Sequence, residues 1–458
     1  MIQRADYVVP YFNNQLRLDK PPLAYWAQVA SYRIFGENDF GARFPSAIAA
    51  ALTALVILAW GRRIGAEVGW WAAIIFTLSL QTFLHAKAAV ADMWLVLFVT
   101  IAYWAGCELL HRRRPTSNAQ RSILNSQRKW WWMFYLSLAL GFLAKGPIAW
   151  IPLLTVVMTI VLARDWQLAR HFKLLRGILL MFAGIALWGI PALLQTHGEF
   201  FAIGIGRHVV GRSLATMEGH GANSFGMYVL LLPFYFVTVF VSFFPWSIKL
   251  PWLIRRLCRK KATIADPGYS RNAIDNYLIT GISIIFVIFT LVATKLPHYT
   301  LPAFPLLALL LARHWQGVAA IKHHCFLFRN IAMSAACAWI AIALVVSPLV
   351  ARFFPAYQLF QESRAYLQSN MQFASVEFEE PSLIWYFRSR VQSFLTRLNK
   401  KNAVDFMSRP GPRFVIVPTS AAETLFADRP QDWKSFSTRG FNVAKGKFVD
   451  LTLVLKPD

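Results

Sequence analysis

The sequence predicts a polytopic α-helical membrane protein of about ten transmembrane helices, closed by a small C-terminal soluble α/β domain. Three observations carry that reading. Of 458 residues, 57% are hydrophobic and only 15% are charged, with 37 Phe and 18 Trp; soluble domains carry roughly 25% charged residues, and disordered chains need low hydrophobicity. The charges punctuate long apolar blocks instead of covering a polar surface. From about Pro355 the pattern changes to short apolar runs in a tail of 104 residues that holds 10 acidic and 14 basic side chains. The net charge of +25 (47 basic against 22 acidic) excludes nothing by itself. Nucleic-acid binders, however, set their Lys and Arg on a polar face, so no nucleic-acid partner is expected. Cytoplasmic loops and anionic lipids or phosphates account for the excess.

Ten charge-poor windows follow one another at 44–61, 68–86, 93–107, 130–144, 146–163, 177–198, 219–248, 276–294, 296–312 and 330–351. Most approach the roughly 20 residues that cross a bilayer as helix. The stretch from Pro21 to Ile34 is too short and too polar to cross, and is expected to lie flat in the interface. Basic residues near span ends stay in the cytoplasm. One set of alternate loops (62–63, 112–129, 164–176, 249–271, 313–329) holds 22 of the 33 basic residues before position 355. Residues 1–43 then form an external loop with interfacial helices, 44–354 the membrane domain, and 355–458 a periplasmic α/β domain. In that tail, Phe373 to Phe378, Leu383 to Phe387, Phe414 to Val417 and Phe448 to Leu455 read as strands. Export of residues 1–43 requires a preceding span, and the sequence opens on polar residues, so a first helix upstream is expected. Cys107, Cys258, Cys325 and Cys337 all fall in cytoplasmic loops or spans, so no disulfide is expected.

The eleven basic residues on the external side include Lys20, Lys87, Lys145, Arg207, Arg212 and Lys295, accompanied by His208, His220, His298 and Tyr299. Topology does not need them there. Cations at an external membrane boundary beside apolar spans suit a lipid phosphate, with charge for the head group and a groove for the tail; the plainer alternative is that some merely anchor span ends or snorkel.

The run Asp6-Tyr7-Val8-Val9-Pro10-Tyr11-Phe12-Asn13, then Leu18-Asp19-Lys20-Pro21-Pro22-Leu23, Tyr25-Trp26, Phe35-Gly36-Glu37 and Ala42-Arg43-Phe44-Pro45-Ser46 resembles bacterial membrane glycosyltransferases of the aminoarabinose transferase and protein O-mannosyltransferase superfamily. Ala86-Lys87 with Asp92, Leu143-Ala144-Lys145-Gly146-Pro147, Pro245-Trp246, and Thr294-Lys295 with Tyr299 and Pro302 extend the likeness to about residue 312. The resemblance implies a multi-pass protein of the bacterial inner membrane with an external active site. The implied donor is a polyprenyl-phosphate-linked sugar, 4-amino-4-deoxy-L-arabinose being one such sugar, and the acceptor is lipid A or a protein. It also implies a first helix and an acidic motif upstream of the start of this sequence.

Such a transfer needs cations for the phosphate leaving group and a carboxylate for the acceptor's proton or for the cationic anomeric carbon. Lys20, Lys87, Arg207, Arg212 and Lys295, with Tyr299, are the expected phosphate-binding set. Asp92 is the expected catalytic carboxylate, its alternative being an interfacial ion pair with Lys87. Asp19 is the second candidate, its alternative being a loop cap. No CxxC or HExxH spacing occurs and no cofactor is expected. His220, with Asp19 or Glu218, is a weak candidate for a divalent metal, against an ordinary polar-loop histidine. Two other readings stand beside the transferase. One is a lipid or solute transporter, which paired repeats and charges near span centres would favour; the other is an inactive N-terminally truncated fragment.

Overall fold

A computed structural model describes residues 1–110, 120–211, 224–260, 271–319, 322–442 and 446–457. They divide into two compact units: Met1–Pro10 with Leu16–Ala336, and Tyr11–Gln15 with Cys337–Asp458.

The first unit is helical. It opens with α1 (Leu23–Phe35), the segment expected to lie flat, followed by α2 (Asp39–Ile64). The α2 start is fixed by Asn38, whose side chain accepts a hydrogen bond from the Gly41 amide at 2.8 Å. Next come α3 (Ala66–Thr77), α4 (Leu80–Ala86), α5 (Asp92–Leu110), α6 (Gln120–Lys145) and α7 (Ile151–Ala163). α2 and α3 pack backbone to backbone. A Cβ added at Gly61 would lie 2.5 Å from the Gly69 Cα, so small residues are what let these two helices approach. α6 ends where Gly146 takes φ +84°, a left-handed conformation that glycine adopts freely.

Among the described residues, five helices are long and apolar enough to cross a membrane: Asp39–Ile64, Asp92–Leu110, Gln167–Gln195, Ala273–Leu291 and Phe326–Ala351. Two bent pairs bring the number to at most seven: Ala66–Thr77 with Leu80–Ala86, bent by 67°, and Phe234–Ser242 with Trp246–Cys258, bent by 119°. The described residues thus hold five to seven candidate spans, where the sequence suggested ten for the whole chain. The windows 130–144, 146–163 and 296–312 fall on α6, on Pro147–Ala163 and on Pro297–Ala319, none of which is among the seven. The windows 68–86 and 219–248 are broken. In the first, Ser79 takes an extended conformation between α3 and α4; in the second, Pro245 interrupts the helix.

The second unit holds a five-stranded sheet in the order β4-β3-β5-β7-β6, with β3 Gln372–Val376, β4 Leu395–Leu398, β5 Arg413–Pro418, β6 Lys434–Asn442 and β7 Lys447–Lys456. β1 (Tyr11–Phe12) and β2 (Gln15–Leu16) form a separate small hairpin. β3 runs parallel to β4 and β5, and β7 runs antiparallel to β5 and β6. Side-chain alternation along the strands builds an apolar core on each face. Phe373, Phe414, Ile416, Leu453 and Leu455 bury on one, and Ala374, Val376, Val415, Val417 and Val454 on the other. The run Leu383 to Phe387, expected as a strand, is a helix from Pro381 to Phe387. Pro381 sits at its first position, where the missing N–H costs nothing and φ is already helical. Asn13 completes the edge of β4: its side chain donates to the Leu395 carbonyl and accepts from the Leu395 amide, both at 2.8 Å.

Candidate active site

A cavity of about 550 Å3 opens in the first unit. Its walls are mostly apolar, with Phe142, Trp150, Ile185, Trp188 and Phe289 among them, while Asp19, Lys20, Asp92, Lys145, His298 and Tyr299 bring polar groups to the same space. Residues before α1 are held against it. Trp188 donates its indole N–H to the Val8 carbonyl at 2.8 Å, and Trp26 does the same to Tyr7 at 2.7 Å.

Asp92 opens α5 and is only 7% exposed. Its partner is Lys145, at the last position of α6, whose Nζ lies 2.5 Å from Asp92 Oδ1. A buried carboxylate needs such a partner. The expected alternative, a pair with Lys87, is not formed: Lys87 sits at the end of α4 with its Nζ 5.5 Å from the centre of the Phe83 ring, and is not among the cavity-lining residues. Close packing of α5 on α6 brings in Lys145 instead. His298 Nε2 stands 3.9 Å from the same Asp92 oxygen. Burial, and then the charge of Lys145, push the His298 ring down to about 4, so it is a neutral imidazole at pH 7. The Lys145 ammonium also lies 5.7 Å from the centre of the Tyr299 ring.

Asp19 accepts from Arg17 Nε at 3.1 Å and from the Tyr25 hydroxyl at 3.4 Å. Burial alone would raise its carboxyl, but Arg17 and Lys20 beside it prevail and hold it below the usual carboxylate range. Lys20 is the more telling neighbour. Burial first, and the like charge of Lys145 second, lower its ammonium below an ordinary lysine. A cation held so against desolvation and repulsion is stabilised by an incoming anion.

Lys295, another expected site residue, is engaged elsewhere. Lys295 donates to the carbonyls of Phe289, at 3.1 Å, and Thr290, at 2.5 Å, so it caps the end of the helix Arg271–Leu291 and does not face the cavity. Arg207 belongs to the helical segment Phe201–Gly211; Arg212 and His220 fall outside the described residues. The expected set did not include Lys145 or His298, although the sequence placed both among the external cations. His85 was missed entirely, because it falls inside a window read as a span.

Residues 19–189 match the family model of dolichyl-phosphate-mannose-protein mannosyltransferases. An uncharacterized protein of Aquifex aeolicus is 24% identical over 332 residues, covering 72% of this chain and 60% of its own length. An undecaprenyl phosphate-alpha-4-amino-4-deoxy-L-arabinose arabinosyl transferase of Edwardsiella ictaluri is 24% identical over 322 residues, covering 69% of this chain and 53% of the relative. The chain is thus similar in sequence to membrane glycosyltransferases of these names. It spans little more than half the length of those two curated relatives. Its fold is that of ArnT from Cupriavidus metallidurans, solved bound to undecaprenyl phosphate: the TM-score is 0.71 at 17% identity, over 99% of this chain and 91% of that one.

Proposed function

We propose that this protein is a membrane glycosyltransferase that takes its sugar from a polyprenyl-phosphate donor. The observation that carries the reading is the cavity, which joins an apolar wall to two cations, Lys20 and Lys145, and two carboxylates, Asp92 and Asp19. That combination suits a molecule with a greasy tail, a phosphate and a sugar. The names of the relatives, one an arabinosyl transferase with an undecaprenyl phosphate donor, support the same class.

In the proposed reaction the bond between the anomeric carbon and the phosphate oxygen breaks, and a bond from that carbon to an acceptor oxygen forms. Polyprenyl phosphate leaves, and the acceptor's proton passes to a carboxylate. Lys20 meets the phosphate, and Lys145 is shared between phosphate and Asp92. Lys145 takes the place that Lys87 and Lys295 held in the sequence-based set, and Tyr299 forms the wall beside it. Of the two carboxylates, Asp92 remains the first candidate: drawing Lys145 toward the phosphate would free an oxygen that the lysine now occupies. The acceptor is lipid A or another periplasmic molecule, and 4-amino-4-deoxy-L-arabinose is the leading sugar. The loop charges favour a periplasmic side of the inner membrane for residues 1–43 and for the tail from 355.

The test is transfer by the purified protein from a polyprenyl-phosphate sugar and from the matching nucleotide sugar. Product from the lipid-linked donor alone is expected. Efficient transfer from the nucleotide sugar alone would overturn the reading.

A further inference from the structure

Two histidines and one aspartate converge at the edge of the cavity from three separate elements. His85 comes from the end of α4, Asp92 from the start of α5, and His298 from the turn of helix Pro297–Ala303. One donor atom from each lies within 4.8 Å of the others. The two imidazole rings stand 5.0 Å apart, centre to centre, with 39° between their planes. We propose that His85, Asp92 and His298 form a three-ligand site for a divalent metal ion of the zinc class.

The donor set argues for that class. Two imidazoles and a carboxylate suit zinc-like ions, and a set of three protein ligands leaves one position open. Calcium and magnesium prefer oxygen ligands. Zinc–ligand distances of about 2.0–2.2 Å set tetrahedral donors roughly 3.4 Å apart, so the three groups close in by about 1 Å when the ion enters. His85 Nδ1 lies 3.0 Å from the Gln81 side-chain nitrogen and 3.2 Å from the Gln81 carbonyl oxygen, one turn earlier on the same helix. In the tautomer that donates Nδ1–H to that carbonyl, the ring is held and the Nε2 lone pair is left for a metal. Asp92 and His298 line the cavity, so the open position faces the space where a phosphate or water would lie. Lys145 is the competitor: its ammonium occupies the Asp92 carboxylate that the ion would share.

The test uses the full chain, purified in detergent without a polyhistidine tag and stripped by a chelator, with Co2+ as a spectroscopic probe and Zn2+ as its displacer. One Co2+ per chain is expected, with the visible absorption of a four-coordinate site that Zn2+ abolishes. The single variants His85→Ala and His298→Ala should each weaken Co2+ binding at least tenfold, and the double variant should abolish it. Lys145→Gln should tighten binding, since it removes a competing positive charge; a structural role for the histidines would not produce that gain. Absence of the Co2+ spectrum in the wild type, or equal binding by wild type and double variant, overturns the proposal. Sugar transfer is not the readout, so failure here leaves the transferase reading untouched.

Discussion

The first unit buries charge at two places along one helix, and the two places differ. At the start of the helix Arg271–Leu291, Asp275 meets Arg313 Nε at 3.0 Å and His314 Nε2 at 3.2 Å, and all three side chains are at most 10% exposed. About 20 Å further along, by the rise of an α-helix, Ile288 and Phe289 line the cavity that holds Lys20, Lys145, Asp19 and Asp92. The Asp275 cluster sets anion against cation away from that cavity, and its effect is to join two helices. The cavity cluster leaves Lys20 lowered by burial and repulsion beside an open space. The first arrangement joins helices; in the proposed function, the second serves a ligand.

Asp275→Ala removes the carboxylate that faces Arg313 and His314, and removing one partner of a buried pair costs about 3–5 kcal/mol. A large drop in thermal stability in detergent is expected, with donor affinity retained in whatever remains folded. Lys20→Ala should do the reverse. Loss of one charge-assisted hydrogen bond, about 1.5–3 kcal/mol, weakens donor binding by about 10-fold to 100-fold while the unfolding temperature stays near that of the wild type. Lys295→Gln sharpens the distinction between cations. Because Lys295 serves the Phe289 and Thr290 carbonyls, a loss of about 1–2 kcal/mol in stability is expected with donor affinity little changed. The smallest effect is one of pH. In the proposed function Lys20 meets the phosphate as the ammonium, and its pKa in the free protein is lowered, so affinity should decline as pH rises through a value below the roughly 10.4 of an ordinary lysine. Lys20→Arg keeps its charge throughout, and titrating both forms should show the decline only in the wild type.

Much of the helical frame was legible because its signal is local. Charge-free windows sit on helices, Pro21 to Ile34 is the short helix α1, and the runs at Phe373, Phe414 and Phe448 are strands. The breaks at Ser79 and Pro245 were not, since mean apolarity carries no direction. The site was legible in kind and not in its pairings. Asp19, Lys20, Asp92 and Tyr299 do line one cavity, but Lys145 lies 53 positions from Asp92, and only the packing of α5 on α6 makes them partners. Lys295 misled for a related reason: a cation next to a helix end reads the same in sequence whether it faces a ligand or caps the helix.

Binding of undecaprenyl phosphate to the purified full chain can be measured against that of undecaprenol, the same lipid without its phosphate. If the half-buried cations of the cavity serve a phosphate, the phosphorylated lipid binds at least about tenfold more tightly, as one charge-assisted hydrogen bond would give, and Lys20→Ala removes most of that advantage. Equal affinity for the two lipids, or an advantage that survives Lys20→Ala and Lys145→Gln together, would contradict the account.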